Sequence, residues 1–106
     1  IAEKLGFGAV SYRCGPWFTR GAAGRGAQID LVYVRADRVI TICEIKFQDE
    51  RIGKGVIEEV EPKRAAFPNP KRYTIETALI SASPPTDELV RERYFNRILS
   101  LEDLFG

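Results

Sequence analysis

The chain has 106 residues, 44% of them hydrophobic and 29% charged, which is typical of one folded domain. The formal net charge of +1 excludes a strongly basic protein, so any binding of nucleic acid must depend on a local cluster of cations. No apolar run reaches the roughly 20 residues of a membrane-spanning helix, and no signal-peptide pattern opens the sequence, so we expect a cytoplasmic protein without membrane contact. The absence of His, and the wide spacing of Cys14 and Cys43, argue against a conventional zinc site.

The first quarter of the sequence predicts a helix end, a strand and a loop. Residues 1–6 resemble the last turns of a helix that stops at Gly6, so we expect the chain to be part of a longer protein. Residues 9–14 have the β-branched and aromatic character of a strand, which Gly15 and Pro16 should end. Residues 19–26 form a glycine-rich loop with Arg20 and Arg25. This loop is either a plain surface connection or a segment that wraps a phosphate backbone.

The centre of the sequence reads as a β-hairpin. Residues 26–35 and 39–47 are two β-branched strands joined by the short polar turn 36–38. A three-residue turn places Asp30 opposite Glu44, and Gln28 opposite Lys46, on one face of the sheet. A two-residue turn would place Asp30 and Glu44 on opposite faces. The length of the turn therefore decides whether the two carboxylates meet.

The remaining segments alternate between helix and strand. Residues 56–67 predict a helix, with a kink or a break at Pro62, and with Glu58, Glu59 and Lys63 outside its apolar face. A strand over residues 72–82 follows, then a short helix capped at Thr86, a strand over residues 95–99 and a terminal turn capped by Ser100. This order predicts an α/β or α+β fold, in which a mixed sheet is flanked by helices.

The charged residues of the hairpin suggest a metal site. Carboxylates of Asp30 and Glu44 opposite one another would repel unless a cation lay between them, and Mg²⁺ prefers such oxygen ligands. Lys46 would reach the same space, where its ammonium could act on a metal-bound water or on phosphate charge. The alternative is an exposed cross-strand ion pair of little energetic value. Because the second strand is otherwise apolar on both faces, its charges require a reason, which favours the site.

These residues carry a family resemblance. Asp30, followed after thirteen residues by Glu44-Ile45-Lys46 on the next strand, resembles the core of the PD-(D/E)XK nuclease superfamily, which has the restriction-endonuclease-like fold. The longer segments 26–32 and 42–47 are similar to the C-terminal domain of a group of prokaryotic AAA-type ATPases. Segments 63–67, 78–80 and 101–105 fit the same group. The resemblance implies a single nuclease-like domain over residues 1–106, from the C-terminal part of a larger ATPase.

The resemblance also implies roles for individual residues. Asp30 and Glu44 would be ligands of Mg²⁺ or Mn²⁺, with the carbonyl of Ile45 as a third ligand, and Lys46 would be the catalytic lysine. Gln28 would be an accessory polar group at the edge of the site. Lys63 is a candidate contact from the following helix. Such nucleases carry a further Glu on the helix before the first strand, which we expect upstream of Ile1, although Glu3 is available.

Three functions follow as expectations. The first is metal-dependent hydrolysis of DNA, to which Arg20, Arg25 and Lys63 would contribute phosphate contacts. The second is a nucleic-acid-binding module that keeps the fold without the chemistry. The third is a protein-interaction domain that serves a linked or partner ATPase. A homodimer is compatible with each of the three.

Overall fold

The computed structural model describes residues 1–19 and 27–105. Within these ranges the chain forms a mixed sheet and short helices, which confirms the predicted α+β class. In chain order the elements are β1 Tyr12–Thr19, β2 Ala27–Arg35, β3 Val39–Lys46, α1 Val56–Ala66, β4 Thr74–Ser81, α2 Asp87–Glu92, β5 Arg97–Ser100 and α3 Leu101–Phe105. The predicted basic loop, with Arg20 and Arg25, lies outside the described residues.

The sheet follows the order of the chain, β1-β2-β3-β4-β5. The pairs β1–β2 and β2–β3 are antiparallel, whereas β3–β4 and β4–β5 are parallel. Parallel neighbours need a crossover connection, and here α1 and α2 lie in those two connections. The carboxyl ends of β3, β4 and β5 therefore lie at the same end of the sheet.

The hairpin has the register that its sequence predicts. Residues 36–38 form the three-residue turn between β2 and β3, and the ladder pairs Val34 with Ile40 and Leu31 with Cys43. In this register Asp30 is the next residue of β2 beyond the last pair, beside Glu44 of β3. The odd-length turn that the site requires is confirmed.

One face of the sheet is covered by α1 and α2, and we call it the helical face. Leu79 of β4, the ladder partner of Glu44, packs there against Val60 of α1 and Leu89 of α2. A second apolar cluster occupies the same face nearer to β1, and it consists of Ile29, Val32, Ile40 and Ile42. Glu44 lies on β3, which also carries Ile40 and Ile42 of the second cluster. Its ladder partner Leu79 belongs to the first cluster.

The opposite face is covered by the beginning of the chain. Cys43, Ala78 and Ile80 pack there in a cluster with Ala2, Leu5 and Phe7. Residues 1–7 form helical turns that end in a Schellman motif, because the Phe7 N–H donates to the Ala2 carbonyl and the Gly6 N–H to the Glu3 carbonyl. Gly6 has φ +92°, as a helix-ending glycine should. The predicted helix end is confirmed.

A β-bulge lies at Asp30. β1 pairs Gly15 with Val32 but Trp17 with Ile29, so Asp30 and Leu31 together oppose the single residue Pro16. The predicted end of β1 at Gly15 and Pro16 is wrong, since β1 continues to Thr19 and Pro16 is accommodated at the bulge. The bulge also interrupts the simple alternation predicted for β2, because Ile29 and Val32 share one cluster.

The first helix is continuous, which excludes the break that was one of the two predicted effects of Pro62. Pro62 lies inside α1, which runs for 11 residues and ends before Phe67. Val56 and Val60 are its buried residues, whereas the predicted apolar positions Ala65 and Ala66 are exposed. The sheet-facing stripe of α1 therefore changes from apolar to polar along its length.

The later elements lie close to their predicted positions. β4 covers Thr74–Ser81 within the predicted strand 72–82, and β5 covers Arg97–Ser100, shifted from the predicted 95–99. Thr86 caps α2, since its hydroxyl accepts from the Leu89 N–H at 3.2 Å. Ser100 and Asp103 bond each other's backbone N–H at the start of α3, which confirms the predicted cap.

The structure also shows the state of the two cysteines and the character of the described helices. Cys14 is exposed and Cys43 is buried, and both are free thiols. Burial raises the pKa of the Cys43 thiol to about 12, so this group is inert at neutral pH. No helix within the described ranges has the length and apolar character that crossing a membrane would require.

Candidate active site

A polar cleft opens on the helical face at the carboxyl end of β3. It has a volume of about 450 Å³. Its lining comes from the start of β2, the end of β3 and the inner side of α1: Ala27, Gln28, Asp30, Glu44, Ile45, Lys46, Glu59, Pro62 and Lys63. The carboxyl ends of parallel strands are the usual location of ligand sites in α/β sheets.

Glu44 is the most buried charged group of the cleft. Its side chain is 3% exposed, and the Lys63 Nζ lies 2.9 and 3.0 Å from its two oxygens. The Lys46 Nζ lies 3.8 Å from the nearer oxygen. A carboxylate so removed from water must be compensated by positive charge, which α1 and β3 each supply with one lysine. The position is therefore one that requires a cation.

Asp30 lies beside this pair and is fixed by the backbone of β3. Its carboxylate accepts the Ile45 N–H at 3.2 Å, just beyond the last pair of the β2–β3 ladder. Because the N–H and C=O of one strand residue point to the same neighbour, the Ile45 carbonyl is directed to the side of Asp30 as well. The bulge thus aims Asp30 at β3, which brings it into the cleft.

Lys46 is held as a cation. Its Nζ lies 2.9 Å from Glu59 of α1, and this hydrogen bond is the main reason why the pKa of Lys46 is raised above its usual range, against the opposing effect of burial. The negative charges of Glu44 and Asp30 raise it further. At neutral pH this lysine therefore orients and stabilises negative charge rather than accepting a proton.

The structure brings most of the predicted site residues together. Asp30, Glu44, Ile45, Lys46, Gln28 and Lys63 all line the cleft. The ladder between β2 and β3 ends at the pair of Leu31 and Cys43, so it does not extend to the predicted pairing of Gln28 with Lys46, although both residues line the cleft. Glu3 is exposed on the N-terminal turns, which cover the opposite face of the sheet, so it is not brought to the cleft.

Neither the role of Glu59 nor the inward position of Lys63 was indicated by the hydrophobic pattern of the helix, although the resemblance implied Lys63 as a candidate contact. The hydrophobic pattern places both outside the apolar face of the helix, yet they line the cleft, one helical turn apart. The signal was present in the spacing, because Val56, Val60 and Lys63 recur at helical intervals and Glu59 precedes Lys63 by four residues. A lysine at the third position of a buried stripe indicates that an acidic partner faces it from the sheet.

The oxygen atoms that line the cleft are suitable ligands for a divalent cation. Asp30 and Glu44 supply two carboxylates, and Ile45 supplies a carbonyl on the same side, which suits an ion such as Mg²⁺ that keeps several waters. No group of three or more His, Cys, Asp or Glu in the described part of the chain is arranged to hold a metal ion. A metal here would therefore have two carboxylate ligands, and its position would compete with the ammonium of Lys63.

Comparisons of the chain with family models, curated proteins and solved structures found no match. Function is therefore inferred from the cleft and from the sequence of the hairpin.

Proposed function

We propose that this chain is a nuclease-like domain of the restriction-endonuclease-like type, which hydrolyses phosphodiester bonds of DNA with Mg²⁺ or Mn²⁺. One observation carries the proposal: Asp30, Glu44 and Lys46 line a single cleft at the carboxyl end of β3. A buried carboxylate, a second carboxylate and a protonated lysine are the groups that this chemistry needs. The mixed sheet with helices in its crossovers is compatible with the fold that the resemblance implies.

The residues of the cleft would have three roles: binding the metal ion, stabilising charge on the phosphate and positioning Lys46. Asp30 and Glu44, with the Ile45 carbonyl, would hold the divalent ion, which activates water and offsets phosphate charge when it is bound. Lys46 remains charged and points into the same cleft, so it can stabilise the negative charge that grows on the phosphate. Glu59 fixes the position of the Lys46 ammonium through the 2.9 Å hydrogen bond.

Lys63 has two possible partners in this scheme. In the present arrangement it neutralises Glu44, and its side chain is 20% exposed at the cleft. A lysine released from Glu44 would remain within the same cleft, where its ammonium could pair with a phosphate oxygen. Lys63 would then contribute to the binding of nucleic acid, as the sequence predicts.

A second function is favoured by a different observation. Each of the two cleft lysines is already paired with a carboxylate, Lys63 with Glu44 and Lys46 with Glu59. Lys63 thereby supplies the counter-charge that a metal ion would otherwise give to Glu44, so the fold can be kept without the metal and its chemistry. Binding of DNA that is unaffected by chelators and by Asp30→Asn would support this function over the first. Absence of any binding at low salt would favour a protein-interaction module.

The proposal is tested with labelled single-stranded and duplex DNA in Mg²⁺, Mn²⁺ or EDTA. We expect metal-dependent cleavage that falls by at least about 100-fold in Lys46→Met, because a preorganised charge at the reacting phosphate is removed. Lys54→Met is the matched control, since Lys54 is exposed and its ion pair within the described part of the chain is with the exposed Glu88, at 3.8 Å. Cleavage that is absent from the wild type, or equal in wild type and Lys46→Met, would refute the proposal.

Metal binding is tested separately from activity. We expect Mn²⁺ to raise the thermal unfolding temperature of the wild type, through mass action on the folded state, and to have no such effect on Asp30→Asn. The same shift in both proteins would place the ion elsewhere.

A further inference from the structure

A groove that the proposed chemistry does not use runs across the helical face beside β1. Three adjoining cavities of about 230, 250 and 230 Å³ form it, and all three are lined by Arg13 and Val34. Besides proline and small or aliphatic residues, its lining contains aromatic and basic side chains. We call it the aromatic groove and define it by Arg13, Trp17, Phe67, Lys71 and Tyr73.

The aromatic side chains of the groove are only partly buried. Trp17, Phe67 and Tyr73 pack onto the margin of the apolar cluster that contains Val32 and Ile40. The rings of Trp17 and Phe67 meet edge to face, with centroids 5.2 Å apart. Aromatic rings held at a surface in this way offer faces on which nucleic-acid bases can stack.

The charges of the groove have one sign. None of the described residues that line its three cavities is acidic, and Arg13 and Lys71 are exposed. Neither of these two cations forms an ion pair with another described residue. In a chain with nearly equal numbers of acidic and basic residues, a wall without carboxylates is complementary to a polyanion.

The wall formed by residues 67–73 is fixed before any ligand binds. The Asn69 side chain both donates to the Tyr73 carbonyl and accepts the Tyr73 N–H, each at 2.8 Å. Pro68 and Pro70 restrict the backbone on either side of Asn69. A rigid wall binds a ligand with less loss of conformational entropy.

The groove and the cleft are neighbours along β2 and along α1. Trp17 is the ladder partner of Ile29, the residue before Asp30. Phe67 follows α1 directly and lies four residues after Lys63. Lys63 lines the cleft, and Phe67 lines the groove. A strand that lay along the groove would therefore reach Asp30 on one side and Lys63 on the other.

We propose that the aromatic groove binds a single strand of nucleic acid, with bases against Trp17, Phe67 and Tyr73 and phosphates near Arg13 and Lys71, and that it feeds this strand into the cleft. The proposal rests on the proposed function for the fate of the strand, but not for its binding. The bases of a duplex are already stacked and paired, so they cannot lie against these rings. The groove therefore selects single strands, or the unpaired ends of duplexes.

Trp17 is the one tryptophan of the chain, so its fluorescence reports on the groove directly. The experiment is a titration of the protein with a thymidine oligonucleotide of about 15 nucleotides, in EDTA and low salt, where no cleavage can occur. We expect quenching of Trp17, weaker binding as salt rises, and a loss of affinity of at least about 10-fold in the double variant Arg13→Glu, Lys71→Glu. The double variant Lys4→Glu, Arg91→Glu is the control, because both residues are exposed and line none of the three groove cavities.

The outcomes separate this proposal from the proposed function. Quenching in EDTA without any cleavage in Mg²⁺ or Mn²⁺ would support the groove and refute the nuclease. Cleavage without quenching, or with equal affinity in the groove and control variants, would refute the groove and leave the nuclease standing. Inorganic polyphosphate that binds and quenches as well as the oligonucleotide would refute base stacking, and equal affinity for a blunt duplex would refute the selection of single strands.

Discussion

Replacing Lys63 with methionine should destabilise the folded chain and make it dependent on a divalent cation. The substitution keeps the length of the side chain on α1 but removes the ammonium, which contacts both oxygens of Glu44 at 2.9 and 3.0 Å. Glu44 is 3% exposed in the wild type, so removal of the ammonium leaves a poorly solvated carboxylate without its nearest counter-charge. Among the described residues, Lys46 at 3.8 Å is the one cation that would remain beside it, and Glu59 competes for that lysine.

The expected loss follows from the distances and the burial. Two unit charges about 3 Å apart attract by roughly 5 kcal/mol at an effective dielectric constant of about 20. Part of this energy offsets the cost of removing both groups from water. Breaking a buried pair by removal of one partner typically costs about 3–5 kcal/mol, and because Lys46 remains near Glu44 we expect about 3 kcal/mol.

The measurement is urea unfolding at 25 °C and pH 7 of the wild type, Lys63→Met, Glu44→Gln and the double variant. The double variant should recover most of the stability lost in Lys63→Met, because the neutral amide that replaces the Glu44 carboxylate no longer needs a cation. Millimolar Mn²⁺ should restore part of the stability of Lys63→Met and have less effect on the double variant. A loss below about 0.5 kcal/mol in Lys63→Met, or additive effects in the cycle, would show that Glu44 is not a buried carboxylate held by Lys63.

Three further predictions concern single features of the fold. Lys46→Met should lower the stability below pH 10.5, the ordinary pKa of lysine, and the difference from wild type should shrink above it, since the hydrogen bond with Glu59 raises the pKa of Lys46. A thiol reagent at pH 8 should modify Cys14 quickly and Cys43 only after unfolding, because Cys43 is buried with a pKa of about 12. Thr86→Ala should cost about 1 kcal/mol through loss of the cap on α2, and Thr86→Ser much less.

Each of these predictions has an outcome that contradicts it. A stability difference for Lys46→Met that stays constant up to pH 12 would mean that the lysine charge makes no contribution. Two fast-reacting thiols in the native chain would mean that β3 is not buried. Equal stabilities of Thr86→Ala and Thr86→Ser would mean that the hydroxyl of Thr86 is not the cap.

The hairpin shows how far the sequence could predict the site. Side-chain alternation and the length of the 36–38 turn were enough to predict the register that places Asp30 beside Glu44. The bulge opposite Pro16 was not predictable, because a proline within a run of strand-forming residues is compatible either with the end of the strand or with an irregularity in its partner. Only the pairing of β1 with β2 decides between them.

The helix α1 shows where prediction failed. A hydrophobic stripe that continued along the whole helix would make Ala65 and Ala66 apolar contacts and leave Lys63 on the outside. In the structure the side of α1 that faces the sheet is apolar at Val60, which packs in the core, and polar at Lys63, which lines the cleft. The orientation of a helix over a sheet depends on tertiary packing, so the sequence could indicate the helix but not which charges it would turn inward.

The proposed function depends above all on a cation position between Asp30 and Glu44, which is measured most directly by soaking crystals in Mn²⁺ and collecting anomalous diffraction. We predict a manganese peak in contact with both carboxylates, and a Lys63 ammonium that has moved away from Glu44. A cleft without a peak at millimolar Mn²⁺, in which Lys63 still holds both oxygens of Glu44, would contradict the proposed metal site and the nuclease function with it.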